Sequence, residues 1–217
     1  MNEYMEVFKN KIETFENRVM PNSKLSRGIL NTEGFAFCAL AGYLGADLII
    51  ESGVCNGGST TIIGKYFTDI PIVSVDITTK MEVIVRTSIF HNVTLINGDG
   101  NVLLPQAVDV FKDKRIAILI DGPKGINALS LAGRCFDKEN VVLVGVHDLF
   151  KGLYGKQKKD RMMFDNLNLK KFTTDDEDFV KEYEYLNAGL DDPRHDKYYS
   201  AELGGYGPVI GFMLKGV

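Results

Sequence analysis

The stretch Leu48–Thr60 reads L-I-I-E-S-G-V-C-N-G-G-S-T and decides the fold of this chain. Its apolar start is typical of a buried strand, and its end, near Ser59, is typical of the first turn of a helix. Gly53 and Gly57 lack a Cβ, so the backbone between strand and helix can turn sharply and approach a ligand closely. Amides at the start of a helix have no intrahelical partner and attract negative charge. The stretch therefore predicts a binding corner in which Glu51 offers a fixed carboxylate to a cationic group.

The glycine spacing of this corner is G-x-x-x-G-G, whereas the dinucleotide fingerprint is G-x-G-x-x-G. The spacing argues against a nicotinamide cofactor. Taken alone, the corner also fits an ordinary strand-turn-helix junction, so its role has to be judged from the rest of the chain.

Short apolar runs without polar alternation alternate with helical segments along the chain, which is typical of a parallel sheet covered on both faces. We therefore predict an α/β fold with a doubly wound, Rossmann-like sheet that is mostly parallel, with an antiparallel C-terminal strand beside the fifth. The predicted strands are Leu48–Glu51, Pro71–Val75, Val93–Ile96, Ile116–Ile120, Val141–Val146 and Pro208–Leu214, and the predicted helices are residues 3–19, Thr32–Leu44, Gly58–Phe67, Lys80–Phe90, Val102–Phe111 and Asn127–Cys135.

The length of 217 residues suits one domain with a full hydrophobic core. We expect N-terminal helices over residues 1–45, a ligand-binding core over 46–150, variable substrate-side segments over 151–207 and a final strand over 208–217. Within the variable part, a basic stretch (151–161) and an acidic stretch (175–192) are expected to form loops or short helices over the binding edge.

Composition excludes several classes of protein. A net charge of −4 argues against a broad nucleic-acid-binding surface, and no apolar stretch is long enough to span a bilayer. The first ten residues are charged and lack the apolar core of a secretory signal. Three cysteines without a C-x-x-C pair indicate a reducing compartment, so we expect a cytoplasmic protein. A homo-oligomer is compatible with the sequence.

An acidic residue stands at or just past the end of every strand in the predicted core. Parallel strands bring these ends to one edge of the sheet, where α/β proteins bind their ligands. Clustered carboxylates repel one another unless cationic ligands, metals or hydrogen-bond donors lie between them. The pattern therefore predicts a functional cleft. The five residues are Glu51, Asp76, Asp99, Asp121 and Asp148.

Two of these carboxylates have the spacing of a nucleoside site. Asp76 lies 23 residues after Gly53, close to the distance at which an acidic residue binds ribose hydroxyls. Asp99 follows the neighbouring strand, where a carboxylate can accept from an adenine amine. The alternatives are a helix N-cap for Asp76 and a glycine-flanked turn for Asp99.

Together these motifs resemble the class I S-adenosylmethionine-dependent methyltransferases, over about residues 35–150. The resemblance rests on E-x-G-x-x-x-G-x-S followed by V-D, N-G-D-G and I-D-G, and the I-D-G-P-K-G and V-H-D segments look most like small-molecule O-methyltransferases of sugar, macrolide or catechol type. It implies S-adenosylmethionine with its methionine end near Glu51 and Gly53, its ribose at Asp76 and its adenine by Asp99. The implied cofactor contacts are Glu51, Gly53, Asn56, Gly57, Ser59, Asp76, Asp99 and Asp121.

The catalytic candidates are Asp121, Lys124, His147 and Asp148. Asp121 and Asp148 are predicted at the ends of adjacent strands, about 5 Å apart, where two carboxylates can hold Mg²⁺ or another divalent cation. Metal-dependent relatives carry an Asp-Asn pair after strand five, and His147-Asp148 replaces it here. Without a metal, His147 is the candidate general base, or else it satisfies backbone groups. Lys124 either stabilises an anionic acceptor or is a solvated loop residue.

The leading hypothesis is methylation of a small hydroxylated molecule. The alternatives are a nicotinamide oxidoreductase, disfavoured by the glycine spacing and by the lack of a Y-x-x-x-K pair after strand four, and a methyltransferase-like binding module without catalysis. Several further residues are candidates for acceptor recognition. They are Lys156, Lys158, Lys159 and Arg161, which would steer an acidic substrate or else form a solvated loop, and Tyr198, Tyr199 and Tyr206, which would wall an acceptor pocket.

Overall fold

The computed structural model describes residues 3–20, 29–149, 155–188 and 209–216. One seven-stranded sheet runs through it. The strands are β1 (Leu48–Ser52), β2 (Ile72–Asp76), β3 (Val93–Asn97), β4 (Ile116–Ile120), β5 (Val141–Val146), β6 (Lys170–Thr173) and β7 (Gly211–Leu214).

The strand order is β3-β2-β1-β4-β5-β7-β6. The first five strands are parallel, and β7 pairs antiparallel with both β5 and β6. The predicted doubly wound sheet with an antiparallel C-terminal strand is confirmed. The order reverses between β1 and β4, so the loops after these two strands open a crevice at the carboxyl edge.

Helices cover both faces of the sheet, and two hydrophobic clusters lie between the layers. Strands β1, β4 and β5 are buried along their whole length, which explains their uninterrupted apolar sequences. None of the described helices combines the length and the apolar character that a bilayer span requires. The helices are α1 (Met5–Arg18), α2 (Asn31–Tyr43), α3 (Gly58–Tyr66), α4 (Met81–Thr87), α5 (Gly100–Val110), α6 (Ile126–Phe136), α7 (Gly155–Asp165) and α8 (Glu177–Tyr183), with a 3₁₀ turn at Glu184–Asn187.

Helix α2 is apolar around its whole circumference because other elements surround it. It packs against α1, α3, β5 and the 3₁₀ turn, and most of its residues are buried. Asn31 donates a hydrogen bond to the Leu186 carbonyl, and the Asn187 carboxamide bonds to Thr32. These contacts fix the first turn of α2 beside the end of β5.

The sequence did not predict β6. Its residues Lys170-Lys171-Phe172-Thr173 bury only Phe172, and the strand lies at the edge of the sheet, so it lacks the apolar run of a central strand. Helix α7 covers most of the basic stretch and α8 part of the acidic one, as expected of short helices. Phe179 of α8 packs on Phe8 of α1 with ring centroids 4.8 Å apart.

Candidate active site

A cavity of about 610 Å³ opens at the carboxyl edge of the sheet, across the point where the strand order reverses. Its volume is in the range of small-molecule and cofactor sites. Loops after all five parallel strands line it. The structure therefore has a cavity at the edge of the sheet where the sequence predicted a cleft. Of the eight predicted cofactor residues, five line the cavity: Gly53, Asn56, Asp76, Asp99 and Asp121.

The turn between β1 and α3, residues 53–57, forms the wall of the cavity at the end of β1, and we call it the glycine corner. Gly53 adopts a φ of +93°, and a Cβ built there would lie 2.5 Å from the Gly122 amide nitrogen. The Ser52 carbonyl accepts from the Asp121 amide at 2.7 Å and from the Gly122 amide at 2.9 Å. Gly57 has a φ of +74° and precedes α3 as its N-cap. The loops after β1 and β4 therefore touch through their backbones, and only glycine fits at position 53.

Glu51 lies behind this corner and does not line the cavity. Its side chain is fully buried and accepts hydrogen bonds from the hydroxyls of Ser59, Thr60 and Ser74. Burial raises the pKa of the Glu51 carboxyl, and the three hydroxyl donors limit this rise. Glu51 and Ser59 thus join β1, β2 and α3 to one another. The geometry gives both residues a positioning role in place of the predicted ligand contact.

Asp76 holds the glycine corner from the end of β2. Its Oδ2 accepts from the amides of Val54 at 2.8 Å and Cys55 at 2.9 Å, while Oδ1 accepts from the Thr78 amide at 3.2 Å. The N-cap of α4 is Lys80, so the alternative of Asp76 as a helix cap is wrong. The contact of Asp76 with a ribose stays a prediction.

Asp99 is the N-cap of α5, where its Oδ1 accepts from the amide of Asn101 at 2.8 Å. Two residues that the sequence left out, Ile77 and Lys80, also face this side of the cavity. Ile77 is 77% exposed, although it is large and apolar. Lys80 donates to the side-chain oxygen of Asn56 at 2.9 Å. Their signal in the sequence is only their place after Asp76, on the loop that leads to α4.

A network of ion pairs forms the opposite wall, after β4 and β5. The Lys124 ammonium lies between two carboxylates: it bonds to Asp121 Oδ1 and stands 2.7 Å from Asp148 Oδ2. The Nδ1 of His147 is 2.6 Å from Asp121 Oδ1 and 3.3 Å from Asp148 Oδ1. The predicted catalytic residues thus meet at one place, and Lys124 is a member of the network and not a free loop lysine.

Asp148 holds a φ of +66°, which is uncommon for a residue with a side chain. Aspartate adopts this left-handed conformation more readily than most residues do. The Asp148 carboxylate lies 2.7 Å from the Lys124 ammonium.

Glu33, at the first turn of α2, completes this network, and no sequence motif predicted it. It is fully buried, its Oε2 accepts from the Leu30 amide at 2.6 Å, and its Oε1 lies 3.2 Å from His147 Nε2. Glu33 is 114 positions from His147 in the chain, so no local motif could join the two. Its only signal was an acidic residue at the start of a helix that is otherwise apolar.

Burial and neighbouring charges both shift the pKa values of this network, and burial raises the pKa of Glu33 in spite of its neighbour His147. Burial disfavours the charged form of His147, but the carboxylates of Glu33 and Asp121 outweigh burial and hold the pKa of His147 well above its usual range. Burial also opposes ionisation of Asp121, yet His147 and Lys124 lower the pKa of Asp121 to about 2. The pKa of Lys124 rises because its two carboxylate neighbours outweigh its desolvation.

These directions correct the role predicted for His147. Both ring nitrogens face carboxylates, and these carboxylates favour the protonated form of the imidazole. A protonated imidazole cannot accept a proton, so this arrangement favours a positioning role for His147 beside Asp121 over the predicted role of general base.

The predicted metal site does not fit the residues as they stand. Ligand atoms of Asp121, His147 and Asp148 lie within 4.8 Å of one another, which is close enough for a shared ion. However, the Lys124 ammonium already bonds to both carboxylates, and a divalent cation would meet that charge at close range. Coordination by Asp121 and Asp148 would first require Lys124 to leave.

The basic stretch does not form the predicted steering surface as a whole. Arg161 is buried, and its guanidinium contacts both oxygens of Asp175 and donates to the Leu149 carbonyl at 3.1 Å. This pair anchors the segment after Asp148, which corrects the prediction for Arg161. Lys158 and Lys159 are exposed. The side chains of Lys156, Tyr198, Tyr199 and Tyr206 lie outside the described residues.

No protein-family model matches this sequence, and no curated protein matches it significantly. Solved structures match its fold. The O-methyltransferase of Bacillus cereus in complex with S-adenosylhomocysteine aligns with a TM-score of 0.51 at 12% identity, over 97% of this chain and 91% of that chain. TomG of Streptomyces achromogenes, an O-methyltransferase of tomaymycin synthesis in complex with S-adenosylmethionine, gives 0.52 at 11% identity, over 97% and 90%.

A Klebsiella pneumoniae protein assigned as an O-methyltransferase gives a TM-score of 0.55 at 12% identity, over 97% of this chain and 90% of that chain. At such identities the similarity shows the fold alone. The chain has the fold of the class I S-adenosylmethionine-dependent methyltransferases, as its sequence motifs predicted, and its activity has to be argued from the site.

Proposed function

We propose that this protein is an S-adenosylmethionine-dependent methyltransferase that methylates a hydroxyl oxygen of a small molecule. One observation carries the proposal: a single cavity at the strand-order reversal has two chemically different walls. The wall after β1, β2 and β3 offers carboxylates without a cationic partner among the described residues. The wall after β4 and β5 offers the Asp148 carboxylate, which can accept the proton of the acceptor hydroxyl, and the Lys124 ammonium beside it.

The first wall suits the cofactor. S-adenosylmethionine has no phosphates, so it needs acceptors for ribose hydroxyls and for an adenine amine more than it needs bound cations. Asp76 Oδ1 accepts one bond in this structure, and each carboxylate oxygen has room for two. Asp99 Oδ2 receives no hydrogen bond from the described residues, while Ile77 offers an apolar surface to a flat base. Gly53 gives the methionine end a close approach to the backbone.

The second wall suits the acceptor. When bound, S-adenosylmethionine supplies a methyl group activated by a positively charged sulfur. Asp148 accepts the proton of the acceptor hydroxyl, and the Lys124 ammonium stabilises the negative charge that develops on the oxygen. His147 and Glu33 hold Asp121, and Asp121 holds Lys124 in place. Positioning of the acceptor for in-line attack is the main task of this wall.

The free thiols of Cys38, Cys55 and Cys135 fit a reducing compartment, and we propose the cytoplasm. The acceptor is proposed to be a small molecule because the cavity, of about 610 Å³, is in the size range of small-molecule sites. The acidic walls give no support for a nucleic-acid partner.

Isothermal titration calorimetry tests the proposal. We expect S-adenosylmethionine and S-adenosylhomocysteine to bind one site per chain, and the Asp76→Asn variant to bind at least 10-fold more weakly because hydrogen bonds to a charged group are worth about 1.5–3 kcal/mol. Asp113→Asn is the matched control, since Asp113 is exposed and precedes β4, at the opposite edge of the sheet from the cavity loops. Binding of NADH in place of S-adenosylmethionine, or equal affinities in wild type and Asp76→Asn, would contradict the proposal.

A further inference from the structure

The Lys124 ammonium stands where a divalent cation would have to bind. Asp121 and Asp148 end adjacent strands, as a shared metal requires, but Lys124 bonds to an oxygen of each. Two carboxylates that could bind a metal are therefore present, and the Lys124 side chain already bridges them.

The remaining ligand atoms lie close to one another. Asp148 Oδ1 lies 3.3 Å from His147 Nδ1, and Asp148 Oδ2 lies 2.7 Å from the Lys124 ammonium. His147 Nδ1 lies 2.6 Å from Asp121 Oδ1 but makes no hydrogen bond with the described residues. A metal that bound both carboxylates would have to separate them from Lys124.

The charge balance supports the same conclusion. At the metal position itself, the two carboxylates of Asp121 and Asp148 lie beside two basic groups, the Lys124 ammonium and the His147 imidazole. Clustered carboxylates require compensating positive charge. Here the chain supplies that charge from its own side chains.

We propose that the Lys124 ammonium replaces a divalent cation between Asp121 and Asp148, so that this site works without a metal. Its catalytic part rests on the proposed function. In that reaction the acceptor oxygen bonds to the methyl carbon as the carbon–sulfur bond breaks, and the electron pair stays on the sulfur, which becomes a neutral thioether. The acceptor proton goes to Asp148, and Lys124 faces the oxygen in the role that a metal would otherwise have.

Titration with Mn²⁺, followed by electron paramagnetic resonance on the full chain, tests the replacement. We expect no stoichiometric Mn²⁺ site in wild type at millimolar metal, and one new site in Lys124→Ala, built from Asp121, His147 and Asp148. Lys124→Ala/Asp148→Asn should lose that site. Lys138→Ala is the matched control, because it also removes a lysine that pairs with an aspartate, Asp109, at the surface.

Two outcomes would overturn the replacement: a stoichiometric Mn²⁺ site in wild type that Asp148→Asn abolishes, or no gain of Mn²⁺ binding in Lys124→Ala. Lys124→Gln repeats the test if Lys124→Ala does not fold. The metal titration needs no cofactor, so its failure is distinct from failure of the proposed function, which appears as absent S-adenosylmethionine binding.

Discussion

The two walls of the cavity are built from the same sequence pattern, an acidic residue at the end of a parallel strand, yet they differ in charge. Among the described residues, Asp76 and Asp99 accept only from uncharged donors, the amides of the neighbouring loops and helix. Asp121 and Asp148 are paired with Lys124 and His147. A carboxylate with neutral donors keeps its capacity for a neutral ligand such as a ribose, whereas a paired carboxylate holds a cationic side chain in place.

The walls meet at Gly53, and an added methyl group there should have the largest effect. A Cβ at position 53 would press on the backbone of Gly122 and Asp121, and the φ of +93° strains any side chain. We expect Gly53→Ala to cost about 3 kcal/mol of unfolding free energy, lowering the melting temperature by about 6–12 °C. Differential scanning calorimetry measures this change.

Gly133→Ala is the control for that experiment. Position 133 lies inside α6 with nothing within 4 Å of a built Cβ, so alanine should be neutral or stabilising by up to about 1 kcal/mol. Equal melting temperatures of Gly53→Ala and wild type would show that the two loops are not in the contact described.

A smaller effect on the unfolding free energy is expected at low pH, and it comes from Asp121 in the second wall. The folded protein lowers the pKa of Asp121 from 3.8 to about 2, so this carboxylate stabilises the fold above about pH 4, and the contribution is lost as the pH falls from about 4 to about 2. The difference corresponds to about 2 kcal/mol. The stability gap between wild type and Asp121→Asn should therefore close over this pH range.

Urea unfolding at several pH values measures that gap. Asp113→Asn, at an exposed position, should show no gap that changes with pH. A gap between wild type and Asp121→Asn that stays constant from pH 6 to pH 2 would mean that Asp121 is not held by His147 and Lys124.

The place of the first wall could be predicted because its glycine turn and its strand ends are visible in short stretches of sequence. Asp76 was found from its spacing to Gly53, and it holds the amides of Val54 and Cys55. The predicted contact of Glu51 with the cofactor is not what the geometry favours. Hydroxyl groups of α3 and β2 bind the Glu51 carboxylate behind the cavity, and such partners cannot be identified from the sequence of the strand alone.

The position of the second wall could be predicted from the sequence, but the contacts among its side chains could not. The ends of β4 and β5 predicted that Asp121, His147 and Asp148 would meet. The surroundings of His147, however, include Glu33, which α2 brings to its Nε2 from a distant part of the chain. Arg161 shows the same limit, since only the tertiary structure pairs it with Asp175 and removes it from the surface.

Hydrogen–deuterium exchange with and without S-adenosylmethionine tests the division of the cavity most directly. We expect the cofactor to slow exchange in the loops after β1, β2 and β3 (residues 53–57, 76–80 and 98–101), with a smaller change at 121–125 and none in α8. Protection absent from the first three loops at saturating S-adenosylmethionine, or produced there by NADH alone, would contradict the assignment of this wall to the cofactor.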